Sequence, residues 1–426
     1  MIAVLALGAA RPAFAQRANG PYAGLFGGQD TAEQSQGLTL NLSMFGAYDK
    51  NSFPPGEASD LIDPRLKESG ASAGVTGSLH YDRRGDRGMF MWTGGGTGQE
   101  YAASPGAVVA YNTGSSLQLK MRPTLVLDAH AGAAYSPFFQ FSPFQAGGPV
   151  SAGPPLSGFG FAAVGERNVI TDGSIGLTSN FTARSSAYAS VDRYDAHLLD
   201  NPDNNLSTWG GRAGVRHHLT RALGLHLEYG QQQVNNAATT APRYAYSTID
   251  AGVDYGDSLT FARRTSLTFS TSTAAVRYNS QTNYRLNGAA TLARGLGRSW
   301  SAYASYNRDT QFMIGFLQPL LTDSVTTGVS GLMALRTKWS AAGGYTHGSI
   351  GFGGSDFTVY SASSRLELAL TRSLGLYGQY SYYRYQVPAG SSDLDILTRL
   401  SRQTGTVGLT LWVPIINDLR RPNESK

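Results

Sequence analysis

Along most of this chain apolar and polar residues alternate one by one, in segments that come in pairs. In 107–121, Val109, Tyr111, Leu117, Leu119 and Met121 share one face, and Asn112, Ser116, Gln118 and Lys120 share the other. In 207–219, Trp209, Ala213, Val215 and Leu219 oppose Arg212, Arg216 and His218. In 222–232, Leu223, Leu225, Leu227 and Tyr229 oppose His226 and Glu228; in 357–371, Leu366, Leu368 and Leu370 oppose Arg365 and Glu367. In 404–415, Val407, Leu409, Leu411 and Val413 oppose Thr406, Gly408 and Thr410. A period of two marks a β-strand with two unlike faces. The pattern predicts 18 strands, at roughly 38–48, 72–83, 87–96, 107–121, 124–136, 169–182, 186–195, 207–219, 222–232, 244–256, 259–277, 284–293, 299–310, 324–335, 337–347, 357–371, 373–386 and 404–415. Sixteen is the alternative count, because the turn inside 244–277 can be placed at 256–258 or at Arg263-Arg264 and strand 87–96 is weakly patterned.

Short turns carrying arginine join these strands in pairs. Leu219-Thr220-Arg221-Ala222-Leu223-Gly224-Leu225 is echoed by Leu370-Thr371-Arg372-Ser373-Leu374-Gly375-Leu376, and more loosely around Arg122, Arg184, Arg263, Arg294 and Arg336. Longer connections fall at 49–70, 137–166, 196–206, 311–322 and 387–403. A repeat of roughly 40 residues holding two strands, a tight turn and a loop is the pattern of a transmembrane barrel. A soluble sandwich would alternate in the same way. An even strand count, with both termini at one end, and the alternation of short and long connections favour closure. An open sheet of this width would curl or split, whereas closure removes its edges. The expected fold is therefore all-β: a single transmembrane antiparallel up-and-down β-barrel. Trp209, Tyr135, Trp339, Tyr345, Tyr380 and Tyr382 lie toward strand ends, where an aromatic girdle would meet lipid headgroups.

Composition narrows the picture. Apolar residues make up 41%, yet no run approaches the ~20 apolar residues of a membrane helix. The 52 glycines and 23 tyrosines suit half-lipid, half-water strands. The absence of cysteine excludes disulfides, thiolate metal sites and cysteine catalysis. A net charge of +5 would suggest nucleic acid on a soluble domain, but here the basic residues are scattered, so no nucleic-acid partner is expected. The apolar start ending in Ala13-Phe14-Ala15 reads as a secretory signal over 1–15. A periplasmic lead-in over 16–36, the barrel over 37–416 and a periplasmic tail over 417–426 follow.

The expected inner face carries both signs: Lys120, Asp128, His130, Arg212, Arg216, Glu228, Asp250, Asp254, Arg285, Arg365 and Glu367. A barrel this wide can hold water, so these residues are expected to line a polar lumen, either as a solute track or as a simple wet wall. The loop 137–166, rich in Phe, Pro and Gly, could constrict the lumen; the favoured reading keeps it as a small surface cluster. Asp128 and His130 stand two apart on one face, the spacing of an acid–base pair, but no nucleophile accompanies them. His218 and His226 face each other across a turn with no third metal ligand in view. The run Gly94-Gly95-Gly96-Thr97-Gly98 lacks the lysine of a phosphate loop. No enzyme activity, cofactor or metal is expected.

The opening strand, Gly37 to Asn51, and the recurring Thr-Arg-x-Leu-Gly-Leu turns resemble Gram-negative outer-membrane β-barrels. In particular they resemble an uncharacterised group accompanying exopolysaccharide and exosortase-type secretion systems. The resemblance spans nearly all of 37–416 and carries no site residues. It implies an outer-membrane location among phospholipid and lipopolysaccharide, and a conduit for polysaccharide served by separate periplasmic export proteins. A general diffusion porin and a plugged surface-anchoring barrel are the alternatives. One departure is the end of the last strand, Leu411-Trp412-Val413-Pro414-Ile415, which is followed by a basic tail rather than a terminal aromatic residue.

Overall fold

The computed structural model describes residues 34–52, 63, 65, 69–102, 104–142, 162–220, 222–236, 244–258, 264–278, 281–297, 299–316, 318–352, 354–390 and 398–419. The expected signal segment 1–15 lies outside these residues, as do most of the lead-in and the tail beyond 419. The strands are β1 (Gln34–Ser52), β2 (Gly70–Arg84), β3 (Gly88–Tyr101), β4 (Ser104–Arg122), β5 (Leu125–Ser136), β6 (Phe139–Gln140), β7 (Ala162–Val164), β8 (Asn168–Asn180), β9 (Ser185–Leu198), β10 (Leu206–His218), β11 (Leu223–Asn236), β12 (Tyr244–Ser258), β13 (Thr265–Tyr278), β14 (Gln281–Leu296), β15 (Trp300–Gln311), β16 (Leu320–Ala334), β17 (Thr337–Ile350), β18 (Asp356–Ala369), β19 (Leu374–Gln386) and β20 (Arg399–Leu419).

Strands β6 and β7 form a separate two-stranded ladder. The other 18 pair antiparallel with their chain neighbours, and β1 pairs with β20, closing the barrel. The closing seam holds a bulge between Leu38 and Thr39, opposite Pro414. That is where a residue without an N–H is tolerated in a ladder. With strands about 4.8 Å apart and tilted about 40°, 18 strands enclose a barrel roughly 35 Å across.

Every expected strand is present, but most run longer. β1 starts at Gln34, inside the expected lead-in, and β20 reaches Leu419, inside the expected tail. The turn between β12 and β13 lies between Ser258 and Thr265, with Arg264 at φ 71°.

Register separates the two faces. Leu227 of β11 pairs with Val215 and Ala251, and Met44 of β1 pairs with Val75 and Leu409. The large apolar members of this set are exposed, which is unfavourable in water and favourable in lipid. Two aromatic levels flank the apolar band. Toward the short turns, Tyr81 lies against Phe90 and Trp300 against Trp339; toward the loops, Tyr111 stacks on Tyr135 and Tyr345 meets Tyr360.

The recurring turn has a local cause. In 370–374 the Thr371 hydroxyl accepts from the backbone N–H of Ser373 and Leu374, at 3.2 and 3.0 Å. Thr220 does the same for Ala222 and Leu223, and Thr182 for Arg184 and Ser185. Threonine builds the turn, and Arg184 and Arg372 are left exposed.

Candidate functional site

At the end opposite the short turns, three connections turn inward. Phe138, Phe139 and Phe141 follow β5, and Phe312, Met313, Ile314 and Phe316 follow β15. Of these, Phe139, Phe141, Phe312, Ile314 and Phe316 join Val164 of β7 in one buried cluster, with Met313 packed against it. The cluster includes strand-tip side chains: Leu198 of β9, Leu206 of β10, Val234 of β11, Leu320 of β16, Phe357 of β18 and Leu400 of β20. In the closed ring β9 and β18 stand opposite each other, so the cluster spans the lumen. Phe141 is its hub, with ring centroids 5.6 Å from Phe316, 5.9 Å from Phe357 and 5.4 Å from Tyr385. The Tyr383 hydroxyl donates to the Phe141 carbonyl. Phe139 and Phe141 thus belong to a diaphragm across the mouth, with the buried Phe138 next to them in the chain. This replaces the favoured surface-cluster reading of 137–166; Phe144 lies outside the described residues.

The third connection braces the diaphragm. The Arg65 guanidinium sits 5.5 Å from the centre of the Phe138 ring, and its Nε donates to Asp63 at 2.8 Å. Partial burial pushes the Asp63 carboxyl up, but hydrogen bonds and charge from Arg65 outweigh it and hold the pKa below the usual carboxylate range. A depressed carboxylate pKa stabilises the folded contact above the unfolded value, about 3.9, and that contribution is lost as pH falls through the lower folded value. Acidification below about pH 4 is therefore expected to loosen this brace and speed hydrogen exchange in residues 137–142, and Asp63→Asn to remove that acid response.

Below the diaphragm the inner wall of β4–β12 carries a belt of paired charges. Gln118 donates to Asp128 at 2.8 Å. His130 Nε2 lies 2.8 Å from Asp172. Arg212 bridges Asp192 at 3.4 Å and Glu228 at 3.9 Å. His226 Nε2 lies 2.8 Å from Asp250. Arg216 rests over the Tyr188 ring, with its guanidinium 6.0 Å from the centroid. Glycine makes room for two of these groups: a Cβ at Gly214 would fall 2.8 Å from Tyr188, and one at Gly252 would fall 2.8 Å from His226. On the far side, the inner faces of β13, β16 and β17 are mostly neutral, with Ser270, Thr326, Ser330, Ser340 and Thr346. Arg365 breaks that arc, paired with Glu367 at 2.7 Å and lying 4.0 Å from the centre of the Tyr377 ring.

Lys120, Asp128, His130, Arg212, Arg216, Glu228, Asp250, Arg365 and Glu367 thus share the inner face by register. Asp254 pairs with Gly224 in the backbone ladder, but its side chain lies outside the described residues. Arg285 also faces inward by its register with Ala274, but its guanidinium is turned toward a gap between strands. Pairing between β14 and β15 stops at Gly288 and Arg308, and the Arg285 guanidinium fills the seam above, donating to the Thr322 carbonyl at 3.1 Å.

The suspected acid–base pair is not a pair. Asp128 and His130 point the same way but have separate partners, and His130 finds its carboxylate on the neighbouring strand, in Asp172. A signal existed: Asp172 alternates with Ile175 and Leu177 in sequence, which puts it on the inner face. His226 is committed to Asp250 and stands opposite Arg216 rather than His218. Among the described residues, no three His, Asp or Glu side chains cluster as metal ligands.

An apolar exterior, two aromatic levels and a polar interior on a closed 18-strand ring define a transmembrane β-barrel. No protein-family model matches the chain, and no curated protein does. Among solved structures it is similar to OpdL of Pseudomonas aeruginosa (TM-score 0.42, 11% identity, 89% of this chain and 99% of that one). It is similar also to OccAB4 of Acinetobacter baumannii (0.42, 11%, 90% and 100%). A third is OccK2 (OpdF) of Pseudomonas aeruginosa, solved in complex with glucuronate (0.43, 11%, 89% and 98%).

Proposed function

We propose that this protein is an outer-membrane channel for small polar solutes, closed at its loop-side mouth and opened by displacement of the inturned loops. The observation that carries the reading is the contrast between a lipid-compatible exterior and a charged, hydroxyl-bearing inner wall beneath an apolar diaphragm. Ionised side chains on a barrel wall are sustainable where water reaches them. The barrel closure and the secretory start agree with a Gram-negative outer membrane, where phospholipid and lipopolysaccharide would surround it. Export of a polysaccharide, with separate periplasmic proteins as partners, draws no support from the described lumen: a hydrated polymer would have to hold the whole diaphragm aside. A surface-anchoring barrel is the second reading, favoured by the diaphragm itself.

Liposome swelling tests this function. Vesicles carrying the barrel with its mouth opened by Phe141→Ala and Phe316→Ala are expected to swell faster than protein-free vesicles in small sugars and sugar acids. Arg212→Gln leaves Asp192 and Glu228 facing each other without their cation, so uptake of a sugar acid relative to the neutral sugar should fall several-fold. Swelling no faster than protein-free vesicles in every solute would overturn the channel reading.

A further inference from the structure

The short-turn end of the barrel carries a cationic collar that the turns themselves do not require. In sequence, each of the eight short turns holds at least one arginine in the turn or at the strand ends beside it. In the Thr-capped turns the threonine hydroxyl makes the closing bonds to backbone N–H groups, and the guanidinium groups of the exposed Arg184 and Arg372 take no part in them. Others stand on the outer face of the strands. Arg83 pairs with Phe90, and Arg294 lies between Leu292 and Leu296, both exposed. A bulge between Lys120 and Arg122 brings Arg122 opposite Leu125, on the lipid side. These five and Arg336 are exposed, and among the described residues none of the six has a carboxylate partner within 4 Å.

The loop end is built differently. Three of its arginines are neutralised by the protein, Arg193 by Asp195 at 2.6 Å, Arg308 by Asp323 at 3.6 Å, and Arg167 by Asp200, whereas Arg384 and Arg399 have no carboxylate within 4 Å among the described residues. Unpaired arginine is therefore more frequent at the short-turn rim than at the loop rim. Guanidinium groups left unpaired at headgroup depth, just beyond the Trp300–Trp339 aromatic level, match phosphate oxygens in charge and in hydrogen-bonding geometry.

We propose that this arginine collar binds the phosphate headgroups of anionic phospholipid in the leaflet around the short turns. The distribution selects this partner. A docked protein would meet one side of the rim, whereas the arginines run around the perimeter, and what surrounds a barrel on every side is lipid. The proposal depends on the barrel lying in a bilayer and not on what crosses its lumen.

The test uses the full chain in vesicles of equal phosphatidylglycerol and phosphatidylcholine, extracted with a thin ring of native lipid for quantification. The wild type is expected to retain phosphatidylglycerol several-fold above the bulk ratio. Arg83→Gln, Arg122→Gln, Arg184→Gln, Arg294→Gln, Arg336→Gln and Arg372→Gln together should return it to the bulk ratio, while Arg193→Gln at the opposite rim should change nothing. Heat-modifiable migration on gels checks that the barrel has folded. Should the sixfold variant fail to fold, raising salt on the wild type takes its place and should reduce the enrichment. A wild type at the bulk ratio would overturn the proposal, as would enrichment that survives all six substitutions. Inorganic phosphate displacing the lipid at constant ionic strength would overturn it too, by assigning the collar to a free anion.

Discussion

Phe141→Ala combined with Phe316→Ala is expected to turn a rarely open channel into one that conducts most of the time. The two rings lie 5.6 Å apart at the centre of the diaphragm, and both are buried. Truncating a buried Phe costs roughly 3–5 kcal/mol where the site cannot collapse. The loss falls on the closed mouth and not on the barrel, because the strand ladders contain neither residue. A loss of that size moves an opening equilibrium by about two orders of magnitude or more. Open probability measured in planar bilayers checks this, with single-channel conductance per opening unchanged. If the substitutions lowered protein stability while leaving open probability untouched, Phe141 and Phe316 would be a fixed part of the barrel and no gate.

Leu227→Arg should destabilise the barrel by about 2–4 kcal/mol in lipid, because it places a guanidinium at the middle of the apolar band. Leu227 is an exposed outer-face residue flanked by Val215 and Ala251, with no carboxylate in the ladder beside it. Ser363→Lys, on the inner face of β18, adds the same charge toward the lumen and should stay within about 0.5 kcal/mol. Reversible unfolding in urea from lipid vesicles measures both. Equal costs for the two substitutions would mean that the faces had been assigned the wrong way round.

The strand count, the two faces and the position of most turns were legible because one face of each strand meets lipid and the other meets water. That contrast writes itself into every second residue. It fails at the loop-side strand tips, where inner-face residues pack against the diaphragm. Ala196 and Leu198 of β9, Leu320 of β16 and Leu400 of β20 are all buried there. With both faces apolar, alternation vanishes, so the predicted strands stopped short of the real ends. The diaphragm was only half legible. Its phenylalanines stood out in 137–142, but their partners come from β18, β19 and the β15–β16 connection, more than 150 residues away. Spacing within one strand paired Asp128 with His130; pairing across strands gave His130 to Asp172, and register between β5 and β8 cannot be read from either strand alone.

The measurement that bears most directly on a water-filled lumen closed at one end is the single-channel record of the wild-type barrel at neutral pH. Long closed periods broken by brief, large, uniform steps are predicted, the steps matching in size those of the Phe141→Ala/Phe316→Ala protein. Steady full conductance from the wild type would contradict the closed mouth, and silence from both proteins, each correctly folded, would contradict the lumen.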